Sequence, residues 1–448
     1  MLESHLQPGE RSAFVSSPDR LRYMFIDFNA YFASVEQHDE PALRGHPVIV
    51  TPLASEHSGA IAASYEAKAL GILRGTSVAD ARRICPEVAV RPARHDRYVT
   101  VHHHLMREIE RHLPVLRVHS IDECVCRLGS GEDDIAAATA KALEVKRGII
   151  DNVGSALRAS IGLAPSILLA KLASDLQKPD GLVALPASCL PGALEKLPLR
   201  AISGIGEGVA RRLARAGIDD FRALWALEPR HARAIWGSVE GERLLYALKG
   251  YDVPAQPVAA KRMIGHSRVL AGSDRHPAAA RIVARALMLK AASRLRRHGL
   301  YAGGMHVAMR IHPEGALAHE AVFRPTRNSS RLLRELDGFW AAMIAARAGG
   351  KGGGARMPRL ALVTVYLFNL QAGPPERDMF VAEEDDARDA RQAALWERID
   401  RINARYGAAK VMLASQQGLN LDYLGTKIAF SRIPDLAEFA DMPTSPAR

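Results

Sequence analysis

Short apolar runs that stop at carboxylates mark the first part of the chain. Tyr23–Asp27 (YMFID) reads as a buried strand ending on Asp27, and Tyr31–Gln37 as the start of a helix. Pro47–Val50 and Ala60–Ala63 read as short strands, and Arg97–His112 has helical spacing. Leu116–Ser120 predicts a strand whose end again meets carboxylates, Asp122 and Glu123. A helix over Ile135–Val153, a strand over Ala159–Leu163 and a helix over Pro165–Leu176 follow, the last closed by Lys178-Pro179-Asp180-Gly181.

Residues 191–259 read as all-helical, with Gly204-Ile205-Gly206 ahead of a helix over Val209–Ala216. From residue 260 the pattern predicts a strand (Met263–Leu270), a helix (Pro277–His298), two strands (Met305–Ile311, Ala321–Arg324), a helix (Ser330–Arg347) and a strand (Leu360–Asn369). That is a βαββαβ order, with the flexible run Gly349–Gly354 inside it. After Ala372 come Pro-Pro, an acidic cluster Glu383–Asp386 and a helix over Ala387–Tyr406. No repeat of solenoid period occurs.

At 448 residues the chain predicts about three domains. Hydrophobic residues at 48% and charged residues at 24% argue against wholesale disorder. No apolar run approaches the ~20 residues a bilayer requires, and MLESHLQPGE lacks a signal-peptide core, so the reading is neither membrane nor secreted but cytoplasmic. Four cysteines without CxxC spacing read as reduced thiols. The net charge of +11 permits a polyanionic partner, and its distribution sharpens that. Residues 1–190 carry net −2, 191–259 net +2 and 373–448 net −3, whereas 260–372 carry 19 Lys+Arg against 5 Asp+Glu, net +14. Such a local surplus suits a phosphate backbone better than a merely solvated surface.

Asp27 and Asp122-Glu123, 95 positions apart, end two apolar strands. Carboxylates gathered this way suit hard divalent cations, and a pair of ions ~4 Å apart serves in-line displacement. By spacing alone, ordinary turn residues are the stronger reading.

The local wording adds more. Asp27-Phe28-Asn29-Ala30-Tyr31-Phe32-Ala33-Ser34-Val35-Glu36 resembles the opening motif of Y-family (translesion) DNA polymerases of the bacterial DinB/UmuC-like kind, and Ser120-Ile121-Asp122-Glu123 their second catalytic motif. Ala63–Gly71 (ASYEAKALG) is similar to their fingers motif. Ile161-Gly162, Ala170–Asp175 (AKLASD) and Lys178–Gly181 (KPDG) are similar to their late palm motif. The four stand in the family's order over roughly residues 20–370.

The resemblance implies a multidomain α+β right hand. Its parts would be a ferredoxin-like βαββαβ palm (1–37 and 93–190), small fingers (38–92), a helical thumb with a helix-hairpin-helix (191–259), a βαββαβ little finger (260–372) and a tail (373–448). It also implies template-directed, low-fidelity synthesis across damaged DNA. Asp27, Asp122, Glu123 and the Phe28 carbonyl would hold two Mg²⁺ ions. Tyr31 would line the nucleotide site, with Tyr65, Lys68 and Lys178 at the triphosphate; Lys68 stands where the family usually has Arg. Lys171 is a neighbour, or else a solvated helix residue. Phe32 matches the steric gate against a ribose 2′-hydroxyl; core packing is its other reading. Asn29 replaces a frequent second Asp.

Gly204, Gly206 and Arg211 resemble a phosphate-binding hairpin, and Arg268, Arg324 and Arg327 are candidate DNA contacts. Arg294-Leu295-Arg296-Arg297 closes a helix and offsets its dipole. Glu376-Arg377-Asp378-Met379-Phe380 resembles the motif by which bacterial polymerases bind the sliding clamp, with Glu in place of Gln; linker is the other reading. His102-His103-His104 reads as surface packing rather than metal binding. The expected partners of a monomer are primer-template DNA, dNTPs and, through residues 376–380, the sliding clamp. The rivals are a catalytically silent scaffold, a nucleotide cyclase and a non-enzymatic DNA-binding protein.

Overall fold

The computed structural model describes residues 20–52, 55–253, 263–312, 315–348, 359–375, 383–406, 410–416 and 433. The chain divides into two units, residues 1–255 with 430–433, and residues 256–429 with 434–448. Residues 376–380, the clamp-like segment, lie outside the described residues, as does the glycine run 349–354. No helix among the described residues is long and apolar enough to cross a membrane.

In the first unit the order is β1 (Tyr23–Phe28), α1 (Tyr31–Asp39), β2 (Val48–Thr51), β3 (Ala62–Ala63), α2 (Tyr65–Ala69), α3 (Val78–Ile84), β4 (Ala89–Pro92) and α4 (His95–Glu110). There follow β5 (Val115–Val118), β6 (Glu123–Arg127), α5 (Ile135–Asn152), β7 (Ala159–Ala164), α6 (Ile167–Leu176) and β8 (Leu182–Ala184). Strands β5-β6-β1-β7-β8 form one sheet, with β1 at its centre between two antiparallel neighbours. All six residues of β1 are buried and five of them are apolar or aromatic, so both faces of this strand are covered. Side-chain oxygens of Asp134 and Ser166 accept from backbone N–H groups at the starts of α5 and α6 and fix where those helices begin. A small second sheet, β3-β2-β4, has its own core of Ile49, Ala63, Ala67, Ile72 and Val78.

Four short helices complete the unit: α7 (Glu207–Arg215), α8 (Phe221–Ala226), α9 (Pro229–Trp236) and α10 (Val239–Leu248). Their Leu213, Phe221, Leu224 and Leu248 share one core with Phe25, Val125, Leu169 and Leu172 of the sheet and α6.

The second unit runs β9 (Met263–Val269), α11 (Pro277–Arg297), β10 (Leu300–His312), β11 (Ala316–Thr326), α12 (Ser329–Ala348), β12 (Arg359–Ala372) and α13 (Glu383–Tyr406). Its antiparallel sheet has the order β11-β10-β12-β9. Met305, Val307 and Met309 of β10 stand directly opposite Leu367, Val365 and Val363 of β12. This inward set joins Leu287, Leu295, Leu336 and Trp340 of α11 and α12 in one core. On the alternate positions Tyr366 and Phe368 lie across Gly265 and Gly304, where a Cβ would meet the rings at 2.0 and 2.4 Å. Glycine there lets aromatic rings lie flat on the sheet.

Two departures from the sequence pattern bear on function. Asp122 and Glu123 do not end β5. Asp122 lies in the turn and Glu123 opens β6, a fully paired strand whose apolar run Cys124–Cys126 is too short to announce itself. Arg296 does not merely cap a helix dipole. It is 8% exposed and forks onto Asp400 of α13, with Nε–Oδ2 at 2.7 Å and Nη2–Oδ1 at 3.1 Å. Its Nη1 donates to the Ser329 hydroxyl at 2.8 Å, so a long-range pairing decides its role.

Candidate active site

The centre of the site is a cross-strand pair. Asp27 of β1 lies directly opposite Glu123 of β6, and residues so paired share a face of the sheet. Asp122 is tied to the same point, because the Phe28 N–H donates to its carbonyl at 2.9 Å. The turn is closed by the Ser120 hydroxyl donating to Asp122 Oδ1. Strand pairing thus gathers the three carboxylates across the 95 positions that separate them in sequence.

Two lysines face these carboxylates. Lys178 Nζ lies 2.7 Å from Asp27 Oδ2 and 2.7 Å from Asp175 Oδ1, and Lys171 Nζ pairs with Glu123 Oε1. Burial lifts the Asp27 carboxyl to about 6; Lys178 opposes the shift, and Asp122 and Glu123 add to it. Asp122 is raised for the same first reason, burial, against the Ser120 hydrogen bond. Burial disfavours the Lys178 ammonium, but Asp27 and Asp175 overcome it and hold that group charged. The site therefore concentrates negative charge in a partly dehydrated place.

The loop that delivers Lys178 is firmly anchored. Asn29, 3% exposed, accepts from the Asp180 N–H at 2.7 Å and donates to Ser160 Oγ at 3.1 Å. Lys146 of α5 pairs with Asp180 Oδ1 at 2.7 Å. The Gly181 N–H donates to Ser160 Oγ at 3.2 Å, and a Cβ on Gly181 would meet the Gln177 carbonyl at 2.0 Å.

Tyr65 and Lys68 come from α2, whose start is capped by Ser64. Lys68 Nζ sits 4.2 Å from the centre of the Tyr65 ring. Burial, then the nearby Lys178, push the Lys68 ammonium below its ordinary value. Burial raises the Tyr65 phenol, with Lys178 and Asp27 the next influences. Both residues thus feel the charges of the carboxylate cluster.

Phe32 of α1 is 8% exposed and stacks on Tyr98 of α4 at 4.5 Å and 18°. The Tyr98 hydroxyl donates to Glu36 at 2.7 Å, and Glu36 is gripped by Arg94 at 2.7 Å. Tyr31 donates to the Tyr98 carbonyl at 2.7 Å. Sequence reasoning assigned no role to Ser120 or Asp175, quoted only as motif residues, and did not single out Tyr98 or Ser160. Asp175 was within reach, since it stands three positions before Lys178 (i, i+3).

The candidate DNA contacts scatter. Gly204 adopts φ +97 and Gly206 begins α7, with Arg211 exposed on that helix. Arg268 pairs across the sheet with Val363, on the face packed by α11, and it is 9% exposed and bound to Asp274 at 2.9 Å. That register turns its side chain into the unit. Arg324 is half-buried on β11. Arg327 lies 4.9 Å from the Tyr301 ring and 2.8 Å from Glu397 of α13.

A fold of this kind is seen in solved polymerases. It matches a Y-family DNA polymerase chimera of Dbh and Dpo4 segments with a TM-score of 0.65 over 79% of this chain and 100% of that one, at 21% identity. The impB/mucB/samB family model matches residues 26–175, and the model of that family's C-terminal domain matches 261–379. DNA polymerase IV of Halorhodospira halophila is 32% identical over 372 residues, 81% of this chain and 98% of that protein. DNA polymerase IV 1 of Bacillus subtilis is 27% identical over 399 residues, 87% and 92% of the two chains. The chain belongs to the impB/mucB/samB family and is a Y-family DNA polymerase. That sets aside the cyclase and the purely DNA-binding readings.

Proposed function

We propose that the chain extends a primer 3′-hydroxyl with dNTPs on damaged template DNA, by two-metal nucleotidyl transfer at Asp27, Asp122 and Glu123. The observation that carries this is the cross-strand meeting of Asp27 and Glu123 with Asp122 in the adjoining turn. The donor set fits Mg²⁺: oxygen atoms only, crowded enough that burial and mutual repulsion raise Asp27. Among the described residues no group of three or more such side chains is already arranged to hold a metal ion, and Lys178, Lys171 and Ser120 engage Asp27, Glu123 and Asp122. Two Mg²⁺ ions, held by these carboxylates and the Phe28 carbonyl, would neutralise charge on the attacking and leaving oxygens.

The chain's own residues do the rest. Lys178, Lys68 and Tyr65 bind the triphosphate, and Lys178 exchanges carboxylate oxygens for phosphate oxygens as it does so. Tyr31 and Tyr98 brace Phe32, whose ring lies under the sugar and rejects a 2′-hydroxyl. The first unit would comprise palm (1–37, 93–190), fingers (38–92) and thumb (191–259). Residues 260–372 would be the little finger, with Arg324 and Arg327 better placed than the inward Arg268 to meet phosphates. Gly204, Gly206 and Arg211 would approach a phosphate at the start of α7. The protein would work as a monomer in the cytoplasm, on the nucleoid, with Arg377, Met379 and Phe380 engaging the sliding clamp.

Primer extension tests the centre of this reading: Asp122→Ala should abolish synthesis while leaving primer-template binding near wild type. Extension at the wild-type rate would refute the ligand assignment. A clamp pull-down that survives Phe380→Ala would return 376–380 to linker.

A further inference from the structure

The three histidines of α4 point different ways. His103 and His104 are exposed, but His102 is 2% exposed and its Nδ1 lies 2.8 Å from the Ile121 carbonyl oxygen. A carbonyl only accepts, so Nδ1 carries the proton. Burial pushes this imidazole down to about 4, so the ring is neutral. Ile121, itself 2% exposed, immediately precedes Asp122 and Glu123. The carbonyl that His102 holds belongs to the peptide group from which Asp122 extends.

The other bonds to the turn's backbone come from the strand side, while Ser120 and Lys171 of α6 engage the Asp122 and Glu123 side chains. Phe28 N–H donates to the Asp122 carbonyl at 2.9 Å, and His119 and Ser120 N–H groups donate to the Glu123 carbonyl at 2.9 and 3.2 Å. His102 reaches this turn from α4, one helical turn after the Tyr98 that braces Phe32. One buried stripe of α4 therefore supports both Phe32 and the carboxylate turn.

We propose that His102 is a positioning residue: its Nδ1–H fixes the Ile121–Asp122 peptide and so sets Asp122 against Asp27 for divalent-cation binding. The inference rests on reading Asp27, Asp122 and Glu123 as the metal ligands. Supporting partners of metal ligands typically contribute ~10–100-fold in affinity or activity.

The test uses the full chain as wild type, His102→Leu, His102→Asn and Asp122→Ala. It reads Mn²⁺ affinity by electron paramagnetic resonance, kcat for primer extension against Mg²⁺ concentration, primer-template Kd and melting temperature. His102→Leu should weaken Mn²⁺ binding and lower kcat ~10–100-fold, with primer-template Kd unchanged. His102→Asn, which keeps an N–H donor, should recover most of the loss. Histidine ¹⁵N spectra of the wild type should show His102 protonated at Nδ1; the Nε2–H tautomer would overturn the proposal, whether or not the variants fold. So would a folded His102→Leu with wild-type Mn²⁺ affinity, or Leu and Asn variants equally weakened with equally lowered melting temperatures. If Asp122→Ala binds Mn²⁺ and extends primers like wild type, the ligand reading itself is wrong. If Asp122→Ala is inactive while His102→Leu is normal, only the positioning role fails.

Discussion

Replacing Asp27 with Asn should destroy activity and, in metal-free buffer, stabilise the first unit. Asp27 is 9% exposed, and its carboxyl is raised from 3.8 to about 6, first by burial and then by Asp122 and Glu123 against the opposing pull of Lys178. A rise of about two pH units corresponds to ~3 kcal/mol at 1.36 kcal/mol per unit. Below about pH 4 the group is neutral in both folded and unfolded chains and contributes no penalty. Between about pH 4 and 6 the unfolded chain ionises while the folded one does not, so wild-type stability falls as pH rises. Above about 6 the deficit is constant. Asn mimics the protonated carboxyl and escapes the loss. Melting in EDTA at pH 4, 5, 6, 7 and 8 should therefore show curves that coincide near pH 4 and diverge up to pH 6. The Asn variant should then stay roughly 6–12 °C higher, taking ~2–4 °C per kcal/mol for a unit of this size. A variant that melts at or below wild type at pH 7 and 8, or a gap independent of pH, would refute the reasoning.

Phe32→Ala should admit ribonucleotides, and Tyr98→Ala, which removes the ring stacked 4.5 Å behind it, should do so to a smaller degree; the ratio of kcat/KM for dNTP and rNTP reads both, and an unchanged ratio would remove the gate. Lys68→Arg, which restores a bidentate fork, should lower KM for dNTP several-fold and Lys68→Ala should raise it; an Ala variant with wild-type KM would put Lys68 outside the triphosphate site. Arg296→Ala should destabilise the second unit by about 3 kcal/mol, because it strands Asp400. Hydrogen exchange over 383–406 should rise with it, and unchanged protection of α13 would count against the bridge.

The long elements were legible because their signals are local. The periodicity of α11 and α12, the apolar runs of β1 and β7 and the Asp27 that β1 carries need no knowledge of neighbours. The short strands β4, β6 and β8 and the helices α2 and α3 were not, since three to seven residues carry too little pattern to outvote their surroundings. The residue types of the site were readable one motif at a time.

Which of them meet was decided only in three dimensions. Strand register brought Glu123 opposite Asp27 and turned Arg268 inward beside Val363. Loop anchoring carried Lys178 across 151 positions to Asp27. A single turn of α4 separated a buried His102 from two exposed neighbours that look identical in sequence. Residue type sets what chemistry a side chain offers. Its partners, its burial and hence its charge state follow from strand pairing and packing between segments far apart along the chain, and no local pattern encodes those.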